Sequence, residues 1–272
     1  MQQMRYVATT GLMGLLVCST AAAQDTDSSR VDSSRVDSSR VDTAATGALT
    51  RMGAYLRTLK SFEIKGNVTR EEVAEDGQKI QIASKVDVVA ERPNRLRAEL
   101  ASDRKRRLYF YDGSTFTVFA PRQNFYATVS APSTLNELAN HLEDTYDIEL
   151  PFVDLFRWGT PEGNVNVITA AVDVGPSEVE GVTCEQYAFR QEGLDWQVWI
   201  QAGQFPLPRK LVVTTLTDEA RPQYSATYTW NLAPSFDKSS FVFEAPKEAK
   251  KIAIADVRAI KRDPKASGGN GK

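Results

Sequence analysis

Apolar and polar side chains alternate along the chain from Ser61 to about Ser130. A period of two is the signature of a β-strand that buries one face and exposes the other. Asp76-Gly77 and Asp112-Gly113 interrupt the alternation, and Asp-Gly supplies the positive φ angles that tight hairpin turns require. The pattern therefore predicts an up-and-down meander of about six antiparallel strands in this region.

Helical periodicity is found before and after this meander. The apolar residues from Leu49 to Leu59 fall at steps of three and four, which predicts an amphipathic helix lying against the sheet. A second candidate helix runs from Ser133, its predicted N-cap, to Tyr146. The very apolar segment Pro151–Trp158 is typical of a short helical turn. The helices are thus inserted between two runs of strands.

Strand-like alternation resumes between residues 165 and 230, and Phe241–Phe243 is predicted as a last short strand. Because the helices do not alternate with the strands, this order excludes a parallel βαβ sheet. We predict a mainly β (α+β) domain, built as a strongly curved antiparallel sheet or incomplete β-barrel of about eleven strands. Two or three helices are expected to fill or cover its concave side.

The predicted inner face of this sheet is the candidate binding surface. If the helices leave a gap, the face could hold an acyl chain, and if they fill the concavity, the same side chains are simply core. The candidate ligand-binding residues are Ile64, Ile82, Leu96, Phe110, Phe116, Val118, Trp196, Val198, Leu211, Tyr224 and Tyr228. The candidate lid residues are Phe152, Leu155, Phe156 and Trp158.

The N-terminus has the three zones of a secretory signal peptide, predicted over residues 1–23. Arg5 supplies the positive charge, Gly11–Val17 is an apolar run too short for a membrane span, and Ala21-Ala22-Ala23 is a signal-peptidase site. This site explains the segment better than a lipid anchor at Cys18, which follows a valine. We therefore expect a periplasmic protein that is not an integral membrane protein.

The segments outside the predicted domain have the composition of solvated chain. Within residues 24–42, Asp-Ser-Ser-Arg-Val is repeated three times, and so few apolar side chains cannot offset the entropy cost of ordering. We predict a disordered linker there and a disordered tail over residues 261–272. Residues 43–260 are predicted to form one β domain.

Charge and reactive residues exclude several classes of protein. A net charge of −2 argues against nucleic-acid binding. His141 is the only histidine, no Cys or His spacing suits zinc, and no glycine-rich phosphate loop is present. After cleavage the chain would keep only Cys184, which is expected to be buried and inert. We predict no catalytic residues, no metal and no cofactor, and therefore no enzyme.

The basic run Arg104–Arg107 leaves two interpretations open. It could form a patch for an anionic partner, or it could keep the edge of a hairpin soluble. The second interpretation is favoured because residues of a strand project alternately to its two faces.

Several motifs resemble a bacterial family of predicted periplasmic proteins, domain of unknown function 2092. They include Gly181–Gln191 followed by Asp195–Ile200, then Phe205–Leu211, and the closing Phe-x-Phe-x-x-Pro at Phe241–Pro246. More distantly, the order of elements is similar to the lipoprotein carriers LolA and LolB. That resemblance implies helices that plug a half-open β-barrel with an apolar inner face.

Two functional hypotheses follow from the sequence, and a third, an enzyme with an acid or base in a cleft, is disfavoured by the missing catalytic motifs. The first is a periplasmic protein that binds or carries a lipid or other apolar molecule on the concave face of a half-barrel. The alternative is an envelope protein-interaction or sensor domain without a small-molecule ligand, whose partner is another protein of the envelope.

Overall fold

The computed structural model describes residues 41–161 and 163–256. The predicted signal peptide, most of the linker and the predicted tail lie outside these residues. Val41 and Asp42, assigned to the linker from the sequence, already contact the folded part. Val41 bridges to Ala171, and the Asp42 carboxylate accepts a hydrogen bond from the Ala44 backbone at the start of the first helix.

In the described residues, a single twelve-stranded open sheet forms the fold, and three α-helices pack against it. The helices are α1 (Thr43–Thr58), α2 (Leu135–Tyr146) and α3 (Asp154–Arg157). The first six strands are β1 (Ser61–Val73), β2 (Lys79–Glu91), β3 (Arg95–Ala101), β4 (Arg106–Tyr111), β5 (Thr115–Ala120) and β6 (Phe125–Ser130). The others are β7 (Ala170–Val179), β8 (Val182–Gln191), β9 (Leu194–Gln201), β10 (Pro208–Thr215), β11 (Gln223–Asn231) and β12 (Lys250–Lys251).

The strand order explains how two meanders form one sheet. It runs β12-β6-β5-β4-β3-β2-β1-β11-β10-β9-β8-β7, so β1 joins the two halves by pairing with β2 on one side and β11 on the other. All pairs are antiparallel except that between β12 and β6. The predicted mainly β class, the antiparallel sheet and the incomplete barrel are confirmed. The twelfth strand is the two-residue β12.

Side chains cap free backbone N–H groups at the start of α1 and α2. In α2 the Thr134 hydroxyl accepts a hydrogen bond from the Glu137 backbone N–H and donates one to the Glu137 carboxylate, at 2.8 Å. A capping residue three positions before a glutamate is the capping-box arrangement. The cap is therefore Thr134 rather than Ser133, which lies one residue too early for this spacing.

All three helices bury their apolar residues against one face of the sheet. Leu49, Met52 and Leu56 of α1 belong to the same core as Leu138 and Leu142 of α2. The core also contains inward-facing residues of both halves of the sheet, such as Ile64, Leu96, Val198 and Leu211. The helices therefore occupy the concave side of the sheet.

The outer face is covered in part by the chain after β11. Phe243 lies 5.0–5.4 Å, between ring centroids, from Phe110, Phe119 and Tyr126, which belong to β4, β5 and β6. The segment then continues to β12, where the Ile252 N–H donates to the Tyr126 carbonyl at 2.8 Å. β12 thus covers the edge of the sheet at β6.

The prediction of a strand at Phe241–Phe243 is wrong. Phe241 ends a 3₁₀ helix (Lys238–Phe241), and its buried ring contacts Phe236 edge-on. The aromatic alternation at this place comes from rings that pack separately as the chain crosses the outer face of the sheet. It does not come from a strand with one buried face.

A close backbone contact fixes α1 against the loop after α3. A Cβ added at Gly53 would lie 2.6 Å from the backbone nitrogen of Gly159. Gly159 has a φ of +78°, a conformation that side chains other than glycine rarely adopt. Glycine at position 53 therefore allows the helix to contact bare backbone.

We predict that Gly53→Ala lowers the free energy of unfolding by about 1–3 kcal/mol, because the added methyl group overlaps backbone atoms that cannot move independently. The matched control is Gly47→Ala in the same helix. Its Cβ would meet only the end of the flexible Arg51 side chain, so the higher helix propensity of alanine should leave stability equal or raise it by up to about 1 kcal/mol. Urea denaturation measures both, and equal effects would contradict the proposed contact.

Candidate functional site

Most of the predicted ligand-binding residues lie on the concave face, and most of these are core. Ile64, Leu96, Phe116, Trp196, Val198, Leu211 and Tyr228 are buried in the main core, and Val118 and Tyr224 are partly buried against it. Ile82 lies farther out on β2, where it lines an open cleft beside the β3–β4 turn. The structure thus brings these residues to one face but spreads them along its length.

Phe110 was predicted to lie on the inner face of the sheet, but it lies on the outer face. Its neighbours Tyr109 and Tyr111 are buried in the core, so the alternation of β4 directs Phe110 outward. There its ring meets Phe243 and, at 5.8 Å from its centroid, the Arg97 guanidinium. Residues 108–111 of β4 are Leu-Tyr-Phe-Tyr, apolar at every position, so the sequence pattern could not distinguish the two faces.

The four predicted lid residues are packed into the concave side. Phe152, Leu155, Phe156 and Trp158 are each less than a tenth exposed. The Phe152 ring lies edge-on to Tyr228 at 4.9 Å and directly over Gly66, where an added Cβ would be 2.5 Å from the ring. In this conformation α3 and its flanking residues therefore fill much of the hollow.

A pocket of about 310 Å³ remains between α3 and strands β8, β9 and β10, and we call it the α3 pocket. Its apolar side chains are Leu49, Leu194, Trp158, Trp196, Leu211, Val213, Val167 and Ile168. Its polar side chains are Asp154, Arg157, Asn164 and Gln191. Trp196 and Leu211 of the predicted ligand-binding set and Trp158 of the predicted lid meet here, whereas the remaining predicted residues do not line it.

Two other cavities lie at different places on the described chain. The cleft of about 600 Å³ at Ile82 is lined largely by polar and small side chains of β1, β2 and the β3–β4 turn. A cavity of about 370 Å³ shares Leu49, Trp158, Gly163 and Asn164 with the α3 pocket and extends toward Pro161. Only the α3 pocket, among these three, reaches the inner face of the sheet at β9 and β10.

An aromatic stack forms one wall of the α3 pocket. The Trp196 ring lies 4.3 Å from Phe189 and 6.5 Å from Trp158, nearly parallel to both. The Trp196 indole N–H donates to the Gln191 side-chain oxygen at 3.2 Å, which fixes the orientation of the indole. The wall is therefore preorganised rather than formed by freely rotating side chains.

Asp154 and Arg157, both on α3, place charge in this apolar setting. Burial raises the pKa of the Asp154 carboxyl to about 6, with a further contribution from Glu149, while Arg157 opposes the change. The Arg157 guanidinium pairs with Glu143 of α2, but its Nε is buried and has no hydrogen-bond partner within the described chain. Sequence reasoning missed both residues, although charged side chains within the apolar Pro151–Trp158 segment were a visible signal.

The residues weighed for catalysis lie elsewhere. Cys184 is fully buried beside Trp199, and burial raises the pKa of its thiol, as expected of an inert cysteine. His141 is half-buried on α2 and packs edge-on against Tyr146. Over residues 41–161 and 163–256, no cluster of three His, Cys, Asp or Glu side chains could hold a metal ion. Arg106 of the basic run pairs with Glu99 on β3 at 2.7 Å.

We predict that Asp154→Asn changes the pH dependence of stability. An acid whose folded pKa lies above its unfolded value binds its proton more tightly in the folded state, so the wild type loses stability as pH rises from about 4 through 6. The asparagine variant lacks this loss and should be more stable at pH 8 by on the order of 2 kcal/mol, with no such gain at pH 4. Urea denaturation of both proteins across this range tests the difference. Parallel stability curves would contradict an enclosed Asp154 carboxyl.

Solved structures that resemble this chain do so only distantly. The Mycobacterium tuberculosis lipoprotein LppX is 10% identical, with 72% of this chain and 100% of that one covered and a TM-score of 0.45. LprF from Mycobacterium bovis is 12% identical, with coverages of 77% and 99% and a TM-score of 0.43. A LolA superfamily protein from Nitrosomonas europaea is 11% identical, with coverages of 73% and 97% and a TM-score of 0.32. Similarity this low says nothing about a ligand.

Sequence comparison is more decisive. No protein with a curated function matches the chain. In the part of the chain that the structure describes, every helix falls short of the length and hydrophobicity needed to cross a membrane. The model of a family described as "predicted periplasmic protein (DUF2092)" matches residues 45–255, nearly the whole folded domain, and confirms the resemblance stated from the motifs. The chain belongs to this family of predicted periplasmic proteins.

Proposed function

We propose that this protein, exported through its N-terminal signal peptide, binds or carries a lipid or other apolar molecule in the periplasm. The observation that carries the proposal is the α3 pocket, where apolar side chains of α1, β9 and β10 meet four polar side chains. Small-molecule sites commonly have this composition. The family description supports the compartment.

The size of the pocket limits the ligand. A volume of about 310 Å³ lies at the lower end of the range for small-molecule sites, ~300–1,000 Å³. The pocket therefore suits a compact or single-chain molecule in this conformation, and a two-chain lipid would require α3 to move. Burial is worth about 0.8 kcal/mol per methylene, so a chain of ten carbons would contribute roughly 8 kcal/mol before the cost of association.

The proposed role is binding rather than catalysis. Asp154 is the titrating group of the pocket, and among the described residues no base or nucleophile is hydrogen-bonded to it. General acid–base or nucleophilic chemistry needs such a partner within hydrogen-bond reach. The Asp154 carboxylate, a hydrogen-bond acceptor that lines the pocket, is more simply explained as a group that recognises a ligand.

A protein-interaction domain without a ligand is the weaker proposal because the sheet edges are poorly suited to pairing. β12 covers the edge at β6. The other edge strand, β7, has a bulge between Asp173 and Gly175 and a proline at position 176, both of which discourage pairing with another strand. A partner would therefore have to bind a face or a loop.

We predict that Val213→Phe weakens binding of the apolar fluorophore 1-N-phenylnaphthylamine at least tenfold, because the larger side chain projects into the α3 pocket. The matched control is Val212→Phe on the same strand. Val212 belongs to the opposite face, where it packs near Trp199, so its variant should bind the fluorophore within about twofold of the wild type. Fluorescence titration measures both affinities, and thermal unfolding checks that both variants are folded.

Two results would contradict the proposal. Absence of saturable fluorophore binding to the wild type would remove the binding function. Equal weakening by the two substitutions would show that the fluorophore binds somewhere other than the α3 pocket.

A further inference from the structure

Two residues of α3 that line the α3 pocket, Asp154 and Arg157, each have an unpaired polar group within the described chain. No hydrogen bond from the described residues acts on the Asp154 carboxylate, and the Arg157 Nε–H is buried without an acceptor. Buried polar groups are nearly always satisfied, and leaving one unpaired costs about 1–3 kcal/mol. The unpaired acceptor and the unpaired donor thus belong to two pocket-lining residues, three positions apart on one short helix.

The side-chain oxygens of the other two polar residues of the pocket are already engaged. The Gln191 oxygen accepts the Trp196 indole N–H at 3.2 Å. The Asn164 oxygen accepts the Asn166 backbone N–H at 2.8 Å. Among the polar side chains of the pocket, Asp154 is thus the acceptor without a partner, and Arg157 is the charged donor.

The charge balance around Asp154 is negative. Three charged side chains act on it: Glu143 from α2, Glu149 from the connection between α2 and α3, and Arg157 from α3 itself. The Arg157 guanidinium is paired with Glu143, so its positive charge is offset. The residues that β8, β9 and β10 contribute to the pocket are uncharged.

Strand β11, which also faces Asp154, adds no charge near neutral pH. Its Tyr228 is buried and its Tyr224 is partly buried, and burial together with the nearby Asp154 raises the pKa of both hydroxyls. Above the pKa of Asp154 the polar end of the pocket is therefore negative. A fixed negative charge on a ligand would meet like charge in a setting of low dielectric, where repulsion is strong.

We propose that the α3 pocket selects its ligand by the head group and takes a single-chain amphiphile with a neutral hydroxyl head, while it rejects an anionic head. This proposal rests on the binding function proposed above. A hydroxyl can donate a hydrogen bond to the Asp154 carboxylate and accept one from the Arg157 Nε–H, so it satisfies both groups at once. An anionic head accepts only, and an ammonium head donates only.

The test is displacement of 1-N-phenylnaphthylamine by two probes with the same chain length, 1-decanol and decyl sulfate. At pH 7.5 we expect the wild type to bind 1-decanol at least tenfold more tightly than decyl sulfate. Asp154→Asn should reduce this ratio about tenfold, mainly by improving the affinity for decyl sulfate. Lowering the pH to 5, where Asp154 is protonated, should reduce the ratio in the wild type in the same way, while decyl sulfate keeps its charge.

Asp144→Asn is the matched control, because it makes the same chemical change at an exposed position of α2 that does not line the pocket. It should leave the ratio unchanged. Equal affinity for the two probes in the wild type, or a ratio that Asp154→Asn and pH do not alter, would overturn the head-group inference while the binding function stands. Failure of the wild type to bind the fluorophore or either amphiphile would overturn both.

Discussion

The structure depends on the need to cover the apolar concave face of an open antiparallel sheet. A single sheet that buries one face must find other elements to pack on that face, and here three helices do so. Main-chain atoms take part in this packing. The Phe152 ring lies on the main chain of Gly66, and Gly53 of α1 contacts the main chain of Gly159. The predicted lid residues therefore act as core side chains in this conformation. An apolar ligand would compete for the same face that the helices stabilise.

Incomplete coverage of this face accounts for the candidate site. α3 is only four residues long and enters the core through Leu155 and Phe156, which leaves a gap between its polar side and strands β9 and β10. Asp154 and Arg157 lie at this gap because residues three apart on a helix share a side. An enclosed carboxylate whose pKa is raised to about 6 lowers stability at neutral pH. A loss of stability caused by a charged group that lines a pocket is typical of a group retained for recognition.

Hydrophobic periodicity was sufficient to predict the strands and α1, whereas features that depend on tertiary contacts could not be predicted from the sequence. The alternation along Ser61–Ser130 and the apolar stripe from Leu49 were sufficient for the strands and for α1, because burial on one face leaves a regular pattern. Phe110 was assigned to the wrong face because β4 is apolar on both sides, covered by the core on one and by Phe243 on the other. The pocket itself could not be predicted, since its residues come from α1, α3, the following loop and three strands. Their proximity is decided by how α3 fits the sheet.

In the binding mode that we propose, an apolar chain enters the concave side at the α3 pocket with its head group toward Asp154. Crystals of the protein grown with 10-bromo-1-decanol would locate the chain, because anomalous scattering identifies the bromine. We expect a single strong bromine peak among Leu49, Trp158 and Leu211, with the hydroxyl near Asp154 and Arg157. A bromine in the cleft at Ile82 or on the outer face near Phe243, with the α3 pocket empty at saturating ligand, would contradict it.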